Sequence, residues 1–162
     1  MLIRLATLDD APAIAAVHVT SWRETYAGII PASYLERLDI AERQKIWTKA
    51  IEGGQPVHVA VVDDTVVGFA NGGKNRDKDT PYTGELYAIY LLKAFQKRGI
   101  GRILFDSVVA DLASERLLPF VTWVLADNPT LDFYKHTGGR IIRDQDEDFD
   151  GRTLKELQLA WT

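Results

Sequence analysis

The feature that most restricts the fold is a strand, a glycine-bearing turn and a helix met in immediate succession. Glu85-Leu86-Tyr87-Ala88-Ile89-Tyr90-Leu91-Leu92 is a nearly continuous apolar run rich in β-formers. After the turn at 93–102, Ile103, Leu104, Val108 and Leu112 recur at helical spacing, and Pro119-Phe120-Val121-Thr122-Trp123-Val124-Leu125 returns as a strand. Because the helix carries the chain back across the sheet, the two strands lie parallel with a right-handed crossover. In such sheets ligands bind at the carboxyl ends of strands, which directs attention to the turn after Leu92.

The rest of the chain adds elements on both sides of this unit. Residues 2–6 form a short apolar run, and Thr7 to Asp10 carries a helix-start signature; Pro12 favours Asp9 or Asp10 as the cap. Ile14, Val17 and Trp22 mark an inward stripe that ends near Gly28. Pro31 opens a second helical stretch through Tyr34, Leu35, Leu38, Ile46 and Trp47 to Gly53-Gly54. The β-branched runs 57–62 and 65–70, joined by Asp63-Asp64, predict a hairpin, and the polar stretch from Gly72 to Pro81 predicts a loop. A short helix follows Asn128-Pro129 to Gly138-Gly139. Ile141-Ile142 and the run 153–161 are then closing strands around the acidic segment 144–150, read as a solvated turn or a lure for a cationic acceptor. The order β-α-α-β-β-β-α-β-α-β-β predicts an α/β (α+β) fold, a mixed sheet with helices on both faces.

At about 150 residues per domain, 162 residues predict one domain, 1–162, with no linker or repeat. Nineteen Lys and Arg against 23 Asp and Glu leave a formal charge of −4, which gives no field for nucleic-acid phosphates. No cysteine is present, so disulfides, thiolate metal sites and a cysteine nucleophile are excluded, and the three histidines, His18, His58 and His136, lack metal-ligand spacing. No apolar run approaches the roughly 18 residues of a membrane span, and residues 1–6 lack a secretory pattern, so a cytoplasmic protein without a membrane partner is expected.

The turn itself reads Lys93-Ala94-Phe95-Gln96-Lys97-Arg98-Gly99-Ile100-Gly101-Arg102. Glycines let backbone N–H groups converge, a helix N-terminus adds partial positive charge, and Lys97, Arg98 and Arg102 add full charges, which together suit a pyrophosphate. Two familiar phosphate loops do not match. There is no Gly-Lys-Ser or Gly-Lys-Thr, and the third glycine of the dinucleotide fingerprint is replaced by Leu104.

Gln96-Lys97-Arg98-Gly99-Ile100-Gly101 resembles the acetyl-CoA loop of the GCN5-related N-acetyltransferase (GNAT) superfamily: Gln or Arg, two residues, Gly, one residue, then Gly or Ala. The preceding strand, the following helix and Asn128-Pro129-Thr130-Leu131-Asp132-Phe133-Tyr134 fall in that family's order, and 18–31 is similar to one bacterial branch. The resemblance implies a mostly antiparallel central sheet and a single N-acetyltransferase domain using acetyl-CoA as cosubstrate. It also implies that Ile89, Tyr90 and Leu91 splay from the neighbouring strand and pair with the pantetheine arm. By the same resemblance Gln96, Lys97, Arg98, Gly99, Ile100, Gly101 and Arg102 surround the pyrophosphate, Asn128 contacts the arm, and Tyr134 protonates the departing thiolate. Lys93 stands where many members have proline and Lys97 where many have glycine.

An alkyl amine, with a pKa near 10, is mostly protonated at neutral pH and must lose a proton before attack; with no cysteine, direct attack in a ternary complex is the expected course. Glu85, opening the central strand, is either the proton acceptor or a solvated strand-start glutamate. Tyr134 is either the general acid or a core tyrosine. Trp22 and Tyr26, four residues apart on one helix face, are core packing or an acceptor-pocket wall. The expected partner is a small-molecule or peptide amine, with a homodimer left open. A catalytically weak acyl-CoA-binding module or sensor is the alternative on the same fold.

Overall fold

The computed structural model describes residues 1–162. Its centre is a seven-stranded sheet of β1 (Leu2–Leu5), β2 (Val57–Val62), β3 (Thr65–Lys74), β4 (Gly84–Leu91), β5 (Phe120–Leu125), β6 (Arg140–Phe149) and β7 (Arg152–Trp161), in spatial order β1-β2-β3-β4-β5-β7-β6. Every neighbouring pair is antiparallel except β4 and β5. That pair flanks the crossover helix α4 (Ile100–Ser114), as the strand-helix-strand order requires.

Both faces of the sheet are covered. Leu104, Phe105, Val108 and Leu112 of α4 pack with Val67, Leu86, Phe120 and Leu159 on one face. On the other, Ile14, Ala15 and Val17 of α1 (Ala11–Tyr26) and Trp47 of α3 (Ile40–Glu52) pack with Val57, Val59 and Phe69. Each fully buried aliphatic side chain contributes about 1.5–3 kcal/mol of transfer free energy, so these two layers fix where the strands sit. α5 (Leu131–His136) closes the end beside β5 and β7.

Three segments differ from the sequence expectation. The stretch after Pro31 is two helices, α2 (Ala32–Glu36) and α3, because Asp39 is extended and accepts a hydrogen bond from the Ala41 amide at 2.8 Å, a helix cap that interrupts the apolar stripe. Strand β3 runs on to Lys74 through a bulge between Asn71 and Gly72, so the loop starts later than Gly72. The acidic segment is mostly strand: Asp144 to Asp148 lie in the exposed edge strand β6, and the turn is confined to Asp150 and Gly151, both at positive φ. Lys155 bridges Asp144 at 3.2 Å and Asp146 at 3.4 Å. Charges along an edge strand discourage further strand pairing, which accounts for an acidic sequence in a β-conformation.

The chain enters α1 through a turn at Leu8–Asp10, held by a carboxylate. Asp10 accepts from both terminal nitrogens of Arg4, at 2.7 and 3.0 Å, and from the Thr7 amide at 2.7 Å. The Arg4 hydrogen bonds, then the Thr7 amide, hold its carboxyl below the usual range despite opposing burial. A depressed folded-state pKa stabilises above the unfolded value near 4 and ceases to do so as pH falls through the lower folded value. Asp10→Asn is therefore expected to cost about 1 kcal/mol at neutral pH, and urea melts should show that difference closing below about pH 4.

Candidate functional site

β4 and β5 pair only at Gly84–Phe120 and Glu85–Val121. The Thr122 hydroxyl donates to the Leu86 carbonyl at 2.9 Å, and beyond it the two strands part. The gap opens a cavity of about 420 Å³ lined by Ala88, Ile89, Tyr90 and Leu91 on one side and by Trp123 and Val124 on the other. From Tyr87 onward β4 presents a backbone edge with no strand partner on that side.

The turn after β4 forms the cavity's second wall. The Gln96 side-chain amide donates to the Leu91 carbonyl at 3.1 Å, tying the turn to the strand end. Lys97 at φ +61° and Gly99 at φ +83° both occupy left-handed backbone, so the lysine stands in a conformation that glycine adopts without strain. α4 starts at the next residue, and its first N–H groups have no partners within the helix. Gln96, Lys97, Gly99, Gly101 and Arg102 line the cavity. At Gly101 a Cβ would meet only the Phe133 ring, at 3.7 Å. Arg102 is paired with Asp106 at 2.9 Å. Two expected loop residues stand apart: Arg98 lies over the Phe95 ring at 5.4 Å and is not part of the lining, and the Ile100 side chain is buried in the core.

The third wall comes from α1 and the segment leading into α5. Asn128 accepts from the Thr130 amide at 2.8 Å and the Thr130 hydroxyl at 2.7 Å, and donates to the Tyr26 hydroxyl at 3.1 Å. Its carbonyl is thus occupied, and one amide hydrogen remains without a protein partner. Tyr134 is 7% exposed and lines the cavity, and its hydroxyl makes no hydrogen bond within the protein. Burial pushes its phenol well above the ordinary value, which keeps it protonated. Ser21, also lining the cavity, has a buried hydroxyl without a partner.

A smaller pocket of about 150 Å³ adjoins the first, sharing Tyr26, Tyr87, Tyr90, Trp123 and Val124. Trp22 and Tyr26 pack edge to face at 4.9 Å and both line it, so they serve as packing and as pocket wall at once. Glu85 also lines it, yet at 2% exposure it is not a solvated strand-start residue. Its carboxylate accepts from the Arg76 amide at 3.0 Å and from the Arg76 guanidinium at 2.6, 3.1 and 3.2 Å. A charge-assisted fork of this kind commits both oxygens. Three residues that the sequence did not single out complete the pocket: Arg76, Trp123 and Glu156. His18 instead is structural, accepting from the Trp47 indole at 3.1 Å and stacking on Tyr90; burial, with Arg43 adding, pulls its pKa down to about 4.

This architecture is shared. Residues 17–138 match the model of the acetyltransferase (GNAT) family. An uncharacterized N-acetyltransferase of Bacillus subtilis (strain 168), YuaI, is 37% identical over 98% of this chain and 91% of its own length. Among solved structures, the ribosomal-protein-alanine N-acetyltransferase from Brucella melitensis superposes with a TM-score of 0.80 at 23% identity, covering 99% of both chains. The structure of yncA from Salmonella typhimurium with its cofactor acetyl-CoA gives a TM-score of 0.77 at 20% identity over 99% of this chain and 92% of its own. No helix of the present chain is long and apolar enough to cross a membrane.

Proposed function

The chain belongs to the acetyltransferase (GNAT) family, and from that premise we propose that residues 1–162 form one catalytic domain that moves an acetyl group from acetyl-CoA directly to a primary amine. The observation that carries this reading is the parting of β4 and β5 over a cavity whose far wall is a glycine turn at a helix N-terminus. The residues fit the cosubstrate at each end. An unpaired strand edge and the orphaned Ser21 hydroxyl suit an amide-bearing arm, and the free amides of α4 with Lys97 and Arg102 suit a diphosphate.

Bound acetyl-CoA supplies a thioester whose carbonyl carbon takes the amine and whose sulfur departs. The backbone N–H groups of Ile89 and Leu91, which alternate away from β3, are the donors available to a carbonyl oxygen gaining charge beside β4. Asn128 holds Tyr26 and offers its remaining amide hydrogen to the arm. Tyr134 holds its proton in the cavity with no protein acceptor competing for it, which favours a catalyst over a passive sensor. Glu85, fixed by Arg76, shapes the acceptor pocket rather than exchanging protons.

Calorimetric titration of the purified protein tests the cosubstrate assignment. Acetyl-CoA is expected to bind with a micromolar Kd, on the order of −8 kcal/mol. Absence of measurable binding would overturn the acetyltransferase mechanism.

A further inference from the structure

We propose, resting on the acetyltransferase reading above, that the adjoining pocket takes a compact primary monoamine with an apolar, flat body, and that Glu156 binds its ammonium and removes its proton. The argument begins with charge. Three ionisable groups besides the phenols line this pocket, Glu85, Arg76 and Glu156. The Arg76 guanidinium offsets the Glu85 charge through three hydrogen bonds, to which the Arg76 amide adds a fourth, leaving Glu156 as the uncompensated charge. One monocation neutralises such a site. An amino acid would bring a second carboxylate against it, and a polyamine would bring surplus positive charge into an aromatic enclosure.

Hydrogen bonding points to the same residue. Gln145 donates to Glu156 Oε2 at 2.8 Å, while Oε1 has no donor in the protein. Glu156 sits opposite Leu125, the last residue of β5, and is half-buried where β5 meets the shared wall of the two pockets. Trp22, Tyr26, Tyr90, Trp123 and Phe149 line the space beside it, an aromatic surround suited to a planar body and to a cation.

The proton balance follows. Glu156 takes one proton from the ammonium, freeing the nitrogen pair, which forms the new C–N bond to the thioester carbon as the C–S bond breaks. Tyr134 gives its proton to the departing sulfur and regains one from the acylated nitrogen, and Glu156 releases its own to solvent. One free CoA thiol, one amide and one proton result from one ammonium and one thioester. Burial, with Glu147 on β6 and Glu85 on β4, raises the Glu156 carboxyl above the ordinary value, while Gln145 and Arg76 oppose the rise. Tyr26 and Tyr90 also face it and stay protonated, their phenols raised by burial.

The test uses the whole protein and phenethylamine as probe. Tryptophan fluorescence, reporting through Trp22 and Trp123, should show phenethylamine binding to the free protein, and E156Q should weaken that binding at least tenfold while leaving the acetyl-CoA Kd within twofold. In turnover, kcat/KM for phenethylamine should exceed that for spermidine, glycine and an alanine-terminated peptide by at least tenfold. Its acid limb, set above the ordinary glutamate range, should vanish in E156Q. Preference for spermidine, glycine or the peptide, unchanged amine binding in E156Q, or acetyl-CoA binding with no amine acetylated would each overturn the proposal. Loss of acetyl-CoA binding in the wild-type protein would instead overturn the reading on which it rests.

Discussion

Gly99→Glu is expected to lower acetyl-CoA affinity at least a hundredfold while leaving the fold in place. Gly99 caps α4 at φ +83°, a conformation that costs an L-residue about 1–2 kcal/mol. No atom lies within 4 Å of where its Cβ would stand, so the substitution meets no steric barrier from the protein. The new carboxylate would sit at the helix N-terminus near Lys97, competing with a diphosphate for the amides and the lysine; Arg102, already paired with Asp106, would have to be drawn from that partner by either anion. A hundredfold loss corresponds to about 2.8 kcal/mol, which this competition plus like-charge repulsion supplies. Calorimetry on Gly99→Ala separates the contributions, since alanine carries the backbone strain without the charge and should lose much less affinity. Parallel thermal melts show whether either variant stays folded. Full acetyl-CoA affinity in Gly99→Glu would remove the turn from the cosubstrate site.

What the sequence revealed of this site and what it hid divide along the range of the interactions. The β4–turn–α4 segment is legible because each signal is local: an apolar run, two glycines, a helical stripe with Leu104, Val108 and Leu112 all buried. Family resemblance carried Asn128 and Tyr134, and both reach the cavity. The break between α2 and α3 has a local sign, since Asp39-Ile40-Ala41-Glu42 has the form of a helix-start signal, but the apolar periodicity running across it masks that sign. Glu85 lies on the strand its sequence predicts, but of its two readings the solvated one is removed by burial that no local signal announces, since it depends on Arg76 of the β3–β4 connection pairing with the carboxylate. Glu156 had no local signal. Its importance comes from β7 lying between β5 and β6, a neighbourhood that only the sheet order creates.

Tyr134→Phe is expected to reduce kcat by about a hundredfold with acetyl-CoA affinity and stability nearly unchanged, the lower end of what a positioned proton donor contributes. Stability should hold because the ring stays packed against Phe133 and Trp161, and the lost hydroxyl leaves no protein group without a partner. The catalytic loss follows from proton affinities. A free thiol has a pKa near 8.5, so a phenol at its ordinary value near 10 already donates slightly uphill. Burial raises the Tyr134 phenol further, so the transfer depends on holding the hydroxyl against the sulfur and on rapid return of a proton from the acylated nitrogen. The same rise favours the protonated phenol that a proton donor needs. Stopped-flow detection of thiol release, compared with calorimetric binding on the same samples, separates the donor from a packing role. Unchanged kcat in Tyr134→Phe would mean that water protonates the sulfur, whereas weakened binding with unchanged kcat would make this tyrosine part of the arm's packing surface.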